Sequence, residues 1–266
     1  MASVVLCSAS GAPGVTTTAL GLTLCWPRDV LLLDADRTPA QAVLAGYLRG
    51  TGPADGGLPA ILQAHRERRP IAESLVSAAM LLPEPFTQPG QHLQAAEGPV
   101  RRFVSGFMNL GSIDVFGGAW HDLGAACQSA PFDVVVDGGR IGSRGLPSDF
   151  VETVDRVLVV VRTTLPALAA LRLYLALVLD QVPSERVGLL LVGPGRPYRA
   201  PEVAEQFGVP VSGEIPWDPE AAGELHEGVQ LAKRWRSQSL AKSYTKVAAN
   251  LVASLAAERQ RIGVAT

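Results

Sequence analysis

The sequence is poor in lysine: among its 23 basic residues only Lys233, Lys242 and Lys246 are lysines, all near the C-terminal end. Positive charge is otherwise arginine. The balance of 23 basic against 25 acidic residues leaves a formal charge of -2, so no global field draws the chain to nucleic acid or an acidic membrane. Cysteine is scarce as well. Cys7, Cys25 and Cys127 are odd in number and lie far apart without CxxC or Cys/His spacing, which excludes a disulfide framework or a zinc site of the usual pattern and fits a reducing cytoplasm. Cys7 sits in an apolar run and reads as core. The four histidines, His65, His92, His121 and His226, are scattered and read as surface or packing residues. Long hydrophobic runs are missing: residues 165–178 are interrupted by Pro166, Arg172 and Tyr174 and fall short of the roughly 20 residues a bilayer span needs. The start, MASVVLCSASGAPG, has no basic n-region and too short an apolar run for a signal peptide.

What is present is a large apolar fraction, 47% of 266 residues, enough for one α/β domain over residues 1–266. Residues 3–8 form a short β-rich run, followed by a Gly/Pro/Ser turn at 9–14 and a helix-like segment at 16–25. Residues 29–34 (DVLLLD), 132–137 (FDVVVD), 157–162 and 187–192 (VGLLLV) are continuous apolar runs, the pattern of parallel strands covered on both faces. Residues 39–79 are helical in character with loops, 102–107 predict a strand, and 112–127 predict one amphipathic helix with Phe116, Trp120 and Leu123 as a core stripe. Residues 209–215 predict a last strand and 240–259 a closing helix that packs Leu240, Val247, Leu251 and Leu255 inward. The basic stretch 231–236 with Lys242 and Lys246 is then its solvated face, although the same charges beside apolar residues could touch lipid or DNA. Strands alternating with helices imply right-handed β-α-β units in a doubly wound, mostly parallel sheet.

Open parallel sheets bind ligands beyond the carboxyl ends of their strands, and the first strand runs into Ser10 to Thr18, SGAPGVTTT. Glycines there let backbone N–H groups point inward, the next helix contributes its positive N-terminus, and a hydroxyl in its first turn can hold Mg²⁺. Gly11, Ala12, Pro13, Gly14, Val15, Thr16 and Thr17 form this candidate phosphate loop. An ordinary strand-to-helix turn capped by Thr16 would use the same residue types.

The loop resembles the deviant P-loop of the MinD/ParA family of ATPases, whose pattern K-G-G-x-G-K-T-T overlays residues 10–17. The family's signature lysine falls on Ser10 and its phosphate-contacting lysine on Val15, so both cations are absent. Pro13 also removes one N–H donor from the loop. Asp34-Ala35-Asp36 resembles the family's D-x-D segment, which gives Asp36 the role of positioning the attacking water and a Mg²⁺-bound water, although Arg37-Thr38-Pro39 replaces the common Pro-Gln-Gly. Residues 132–137 resemble the Walker B strand, with Asp137 holding the metal through water, while Arg140 either supplies part of the lost positive charge or serves as a surface salt-bridge residue. Asp155 leads the following strand and reads as a turn residue. Residues 213–218 resemble the G-x-I-P-x-D segment flanking the base, which puts Pro216 at the nucleotide, while Leu191 to Gly195 lacks the adenine-contacting Asn.

The resemblance implies ATP and Mg²⁺ as cofactors, bound more weakly than in relatives, and hydrolysis that is slow or absent, since the missing ammonium groups are worth several kcal/mol, on the order of one large term in phosphoryl transfer. Metal ligands are then Thr16, Asp36 and Asp137. The implied activity is a cytoplasmic, homodimeric positioning or partitioning factor, or a TadZ/CpaE-like factor for pilus or secretion machinery with a protein partner. A pseudo-ATPase scaffold that binds no nucleotide is the alternative, and a metabolic kinase or synthetase on the same fold a third.

Overall fold

The first apolar run folds as it reads. In a computed structural model of the chain, which describes residues 1–10, 14–52, 56–83, 98–227 and 235–264, Ser3–Ser8 forms strand β1, every residue of it buried. The other strands are β2 (Val30–Asp34), β3 (Met80–Leu81), β4 (Arg101–Val104), β5 (Asp133–Arg140), β6 (Arg156–Arg162), β7 (Val187–Val192) and β8 (Val211–Ile215). They form an eight-stranded sheet in the order β3-β4-β2-β5-β1-β6-β7-β8. Only the edge pair β3 and β4 is antiparallel; the remaining pairs run parallel.

The helices are α1 (Val15–Leu24), α2 (Gly57–Arg66), α3 (Ile71–Ser77), α4 (Gly111–Val115), α5 (Ala119–Ser129), α6 (Ser148–Val151), α7 (Leu165–Gln181), α8 (Ala200–Phe207), α9 (Pro219–His226) and α10 (Ser239–Val264). They cover both faces. Side chains on a strand alternate in direction, so Val5 and Cys7 of β1 join one core with α2, α3, α5 and α7, while Val4 and Leu6 join the other with α1, α9 and α10. Leu240, Val247, Leu251 and Leu255 of α10 all face that second core, each worth about 1.5–3 kcal/mol of apolar burial. Gly21 admits this helix: a Cβ there would lie 2.3 Å from the Tyr244 ring.

Three boundaries differ from the sequence reading. The helix expected over 112–127 is two helices, broken where Gly117 and Gly118 each weaken a helix by about 1 kcal/mol. Phe116 and Trp120 are nevertheless core, packed edge-to-face with Phe107 and Phe150. The strand expected over 102–107 stops at Val104; beyond it Gly106 passes so close to Asp34 that a Cβ would sit 2.7 Å from Asp34 Cγ. The Walker B-like strand continues past Asp137 to Arg140. β3, two residues long, carries too short a pattern to be read from sequence. Of the basic stretch, residues 231–234 lie outside the described residues, and Trp235 beyond them is buried.

Candidate functional site

β1 lies between β5 and β6 at the centre of the sheet, where the chain, having wound outward through β2 and β4, returns and then winds to the other side. Ligand crevices of such sheets open at that reversal. Of the loop that follows β1, Gly11, Ala12 and Pro13 lie outside the described residues. Gly14 adopts a left-handed conformation, φ 86°, and starts α1 without a side-chain cap. The first helical hydrogen bond runs from Thr18 N to Gly14 O, 2.8 Å, so the N–H groups of Val15, Thr16 and Thr17 have no carbonyl within the helix and form its positive end. The Val15 side chain is only 7% exposed and belongs to the core beneath. An apolar side chain therefore packs where the resemblance calls for an ammonium.

α1 opens onto a recess of about 560 Å³. Gly14, Val15, Thr16, Thr17, Asp36 and Arg140 line one end, and Val192, Pro216 and Trp217 the other. Thr16 also donates to Asp137, beneath this end. Asp137 and Asp34 are register partners on β5 and β2 and are 2% and 6% exposed. Asp34 Oδ1 accepts from Asp36 N at 3.2 Å, and Asp137 Oδ1 from Gly139 N at 3.0 Å. Asp36 Oδ1 accepts from both N and Oγ1 of Thr38, each at 2.7 Å. Gly139, φ 60°, lets the Asp36 carboxylate lie over β5: a Cβ at 139 would fall 2.0 Å from Asp36 Oδ1.

Burial, and then the neighbouring Asp137, push the Asp34 carboxyl up to about 8. Burial likewise raises Asp137, to about 6, against the hydrogen bonds from Thr16 and Gly139 that hold it down. No ion pair among the described residues involves Asp34, Asp36 or Asp137. Arg37, next in sequence, turns its Nη2 away to the carbonyls of Ile141, 2.9 Å, and Gly145. Three carboxylates therefore lie near one another with no ion pair to any of them among the described residues. Hard oxygen donors of this kind suit Mg²⁺, which takes one or two protein ligands and completes its shell with water and phosphate oxygens. Among the described residues no group of three or more His, Cys, Asp or Glu is disposed to hold a metal ion.

At the other end Ile215 closes β8 and Pro216-Trp217 turn the chain into α9, where Asp218 caps by accepting from Ala221 N at 3.0 Å. The Arg162 guanidinium stacks on Trp217, 3.8 Å from the ring centroid, and Gly193, φ 72°, makes room for its Cβ. The Tyr244 hydroxyl, pushed up by burial, hydrogen-bonds Thr18 and ties α10 to the helix that starts at the loop.

The structure thus brings Gly14, Val15, Thr16, Thr17, Asp36, Asp137, Arg140 and Pro216 to one recess or its floor. Asp155 is not among them: it accepts from Ser3 N at 2.7 Å and pairs with Arg259. Sequence reasoning passed over Asp34 and Trp217. The signal for Asp34 was there, since a carboxylate ending a fully apolar strand cannot avoid burial; Trp217 had none beyond its place after Pro216.

No helix among the described residues is long and apolar enough to cross a membrane. No family model and no curated protein matches the sequence. Solved structures do match its fold. A ParA family ATPase from Chlorobium tepidum TLS superposes with a TM-score of 0.70 at 18% identity, covering 93% of this chain and 98% of that one. The septum site-determining protein MinD of Pyrococcus horikoshii OT3, complexed with Mg-ADP, gives 0.64 at 16% identity over 93% and 94%. MinD of Aquifex aeolicus in its complex with MinC gives 0.66 at 15% identity over 95% and 96%. The chain has the P-loop fold of the MinD/ParA ATPases.

Proposed function

We propose that the protein is a cytoplasmic, homodimeric positioning or partitioning factor that binds a nucleoside phosphate with Mg²⁺ and hydrolyses it slowly or not at all. The observation that carries this reading is the convergence of Asp34, Asp36 and Asp137 under a helix N-terminus, two of them buried and none ion-paired. Such an arrangement works against the unliganded fold and is relieved by a bound divalent ion. In this reading the N–H groups of Val15 to Thr17 face the phosphates, Thr16, Asp36 and Asp137 hold the metal directly or through water, Arg140 reaches the phosphate end, and Pro216 with Trp217 bounds the base. A bound nucleotide would supply phosphate oxygens to that metal. In the same reading Asp36 orients a water. With Ser10 and Val15 in place of lysines, the loop offers only N–H dipoles to charge that develops in transfer, so the site favours holding over turnover.

The Mg-ADP complex of the Pyrococcus MinD supports the cofactor, and the MinC complex of the Aquifex MinD supports a protein partner. Delivery to pilus or secretion machinery is one form that partner takes. The buried Val15 favours a second reading, a scaffold that binds no nucleotide. Isothermal titration of the purified chain with ATP and ADP in Mg²⁺, beside a phosphate-release assay, separates them. Binding with little release is expected; absence of binding leaves the scaffold, and steady release abolished by Asp36→Ala overturns the account of the missing lysines.

A further inference from the structure

Beside the nucleotide recess, and sharing Thr38 and Arg140 with it, lies a second recess of about 580 Å³. Its charged lining is Arg37, Arg140 and Arg144, and no carboxylate contributes to it. Ser10, Ser143 and Tyr174 bring hydroxyl groups to the same walls. Four arginines elsewhere pair with acids: Arg28 with Asp133, Arg69 with Glu67, Arg156 with Glu258 and Arg259 with Asp155. Among the described residues Arg140 and Arg144 have neither an ion pair nor a hydrogen-bond partner. Arg37 is fixed by its bonds to the Ile141 and Gly145 carbonyls, yet its Nε is enclosed without an acceptor.

Three arginines line one concavity, two of them with exposed side chains, and an oxyanion between them can accept from their forked donors. We infer that this arginine-lined recess is a second anion site, taking a phosphate monoester or pyrophosphate group, distinct from the nucleotide recess and separated from it by Arg140. Arg37 is its fixed wall, since its Nη2 is held by the Ile141 and Gly145 carbonyls. Arg144 belongs to this recess and not to the nucleotide recess, which makes it the residue that reports on the second site alone. A small oxyanion fits better than an acidic protein segment because the three arginines, with the hydroxyl-bearing Ser10, Ser143 and Tyr174, line a concavity rather than a flat surface.

The site is tested with pyrophosphate as the probe, titrated by calorimetry into the full chain with and without saturating Mg-ADP. Pyrophosphate is expected to bind in both conditions, with affinity that falls as salt rises, and Arg144→Ala is expected to weaken it about tenfold. Arg144→Lys should restore part of the loss, as a point charge lacks the fork. Pyrophosphate binding that is absent, or identical in the wild type and Arg144→Ala, overturns the site. So does a result in which pyrophosphate does not bind but Arg144→Ala changes the sedimentation of the chain, since the arginines then serve contact between copies. If Mg-ADP fails to bind while pyrophosphate binding still depends on Arg144, the proposed function falls and the anion site stands; the converse result separates them the other way.

Discussion

Strand β5 carries two buried aspartates, one at its start and one past its middle, and the two are treated in opposite ways. At its start Asp133, fully enclosed, is saturated with donors: Ala2 N at 2.7 Å, Trp26 Nε1 at 2.8 Å and the Arg28 guanidinium at 2.7 Å. Past its middle Asp137, almost as buried, receives a hydroxyl and one N–H and faces Asp34 and Asp36 with no ion pair. Burial alone does not distinguish a structural from a functional carboxylate, because both have it. Compensation does. The closed end of the sheet neutralises its charge from within the chain; the open end leaves charge for something outside the chain to neutralise.

The largest expected effect comes from breaking the compensated end. Asp133→Ala leaves the Arg28 charge and two buried N–H donors without a partner and should lower stability by about 3–5 kcal/mol, read by urea unfolding. Asp137→Asn, measured without ligand, should be neutral or stabilising. Equal losses at the two positions would erase the contrast.

A smaller effect separates the open end by pH. The Asp34 carboxyl is held at about 8 in the fold, above the roughly 3.9 of an unfolded aspartate. A raised folded value means its contribution to stability is fully present below that unfolded value and is lost as pH rises through about 8. Relative to Asp34→Asn, the wild-type apoprotein should therefore lose on the order of a few kcal/mol between those limits, and Mg²⁺ with ADP should recover most of it. Parallel stability-pH curves for the two proteins would show that Asp34 is not charged against its neighbours.

Much of this contrast was legible before the fold was known. Continuous Val and Leu runs ending in Asp34 and Asp137 placed both carboxylates at strand ends, and SGAPGVTTT placed the loop. What could not be read was compensation, because Asp133 meets Arg28 and Trp26 only through the pairing of distant strands. The direction taken by Arg37 was hidden for the same reason: its partners at 141 and 145 lie across the sheet from it in sequence. Residues 112–127 misled locally, since the apolar stripe at helical spacing is real and serves the core, while Gly117 and Gly118 cut the helix that carries it.

The smallest effect divides the open end itself. If the carboxylates and the α1 N-terminus hold phosphate and metal, the far end of the recess, where Arg162 stacks on Trp217 and Gly193 supports its Cβ, should contribute only to the base. Trp217→Ala removes an aromatic contact worth about 1 kcal/mol and should weaken ADP binding about fivefold. Pyrophosphate binding measured on an Arg144→Ala background, which leaves the phosphate end of the nucleotide recess as its site, should stay unchanged by Trp217→Ala because pyrophosphate does not reach Trp217. Calorimetry on the variant with both ligands reads the split directly: a loss shared by ADP and pyrophosphate would mean that Trp217 acts by holding α9 against the loop, and the recess would then be one mechanical unit rather than a charged end joined to an apolar one.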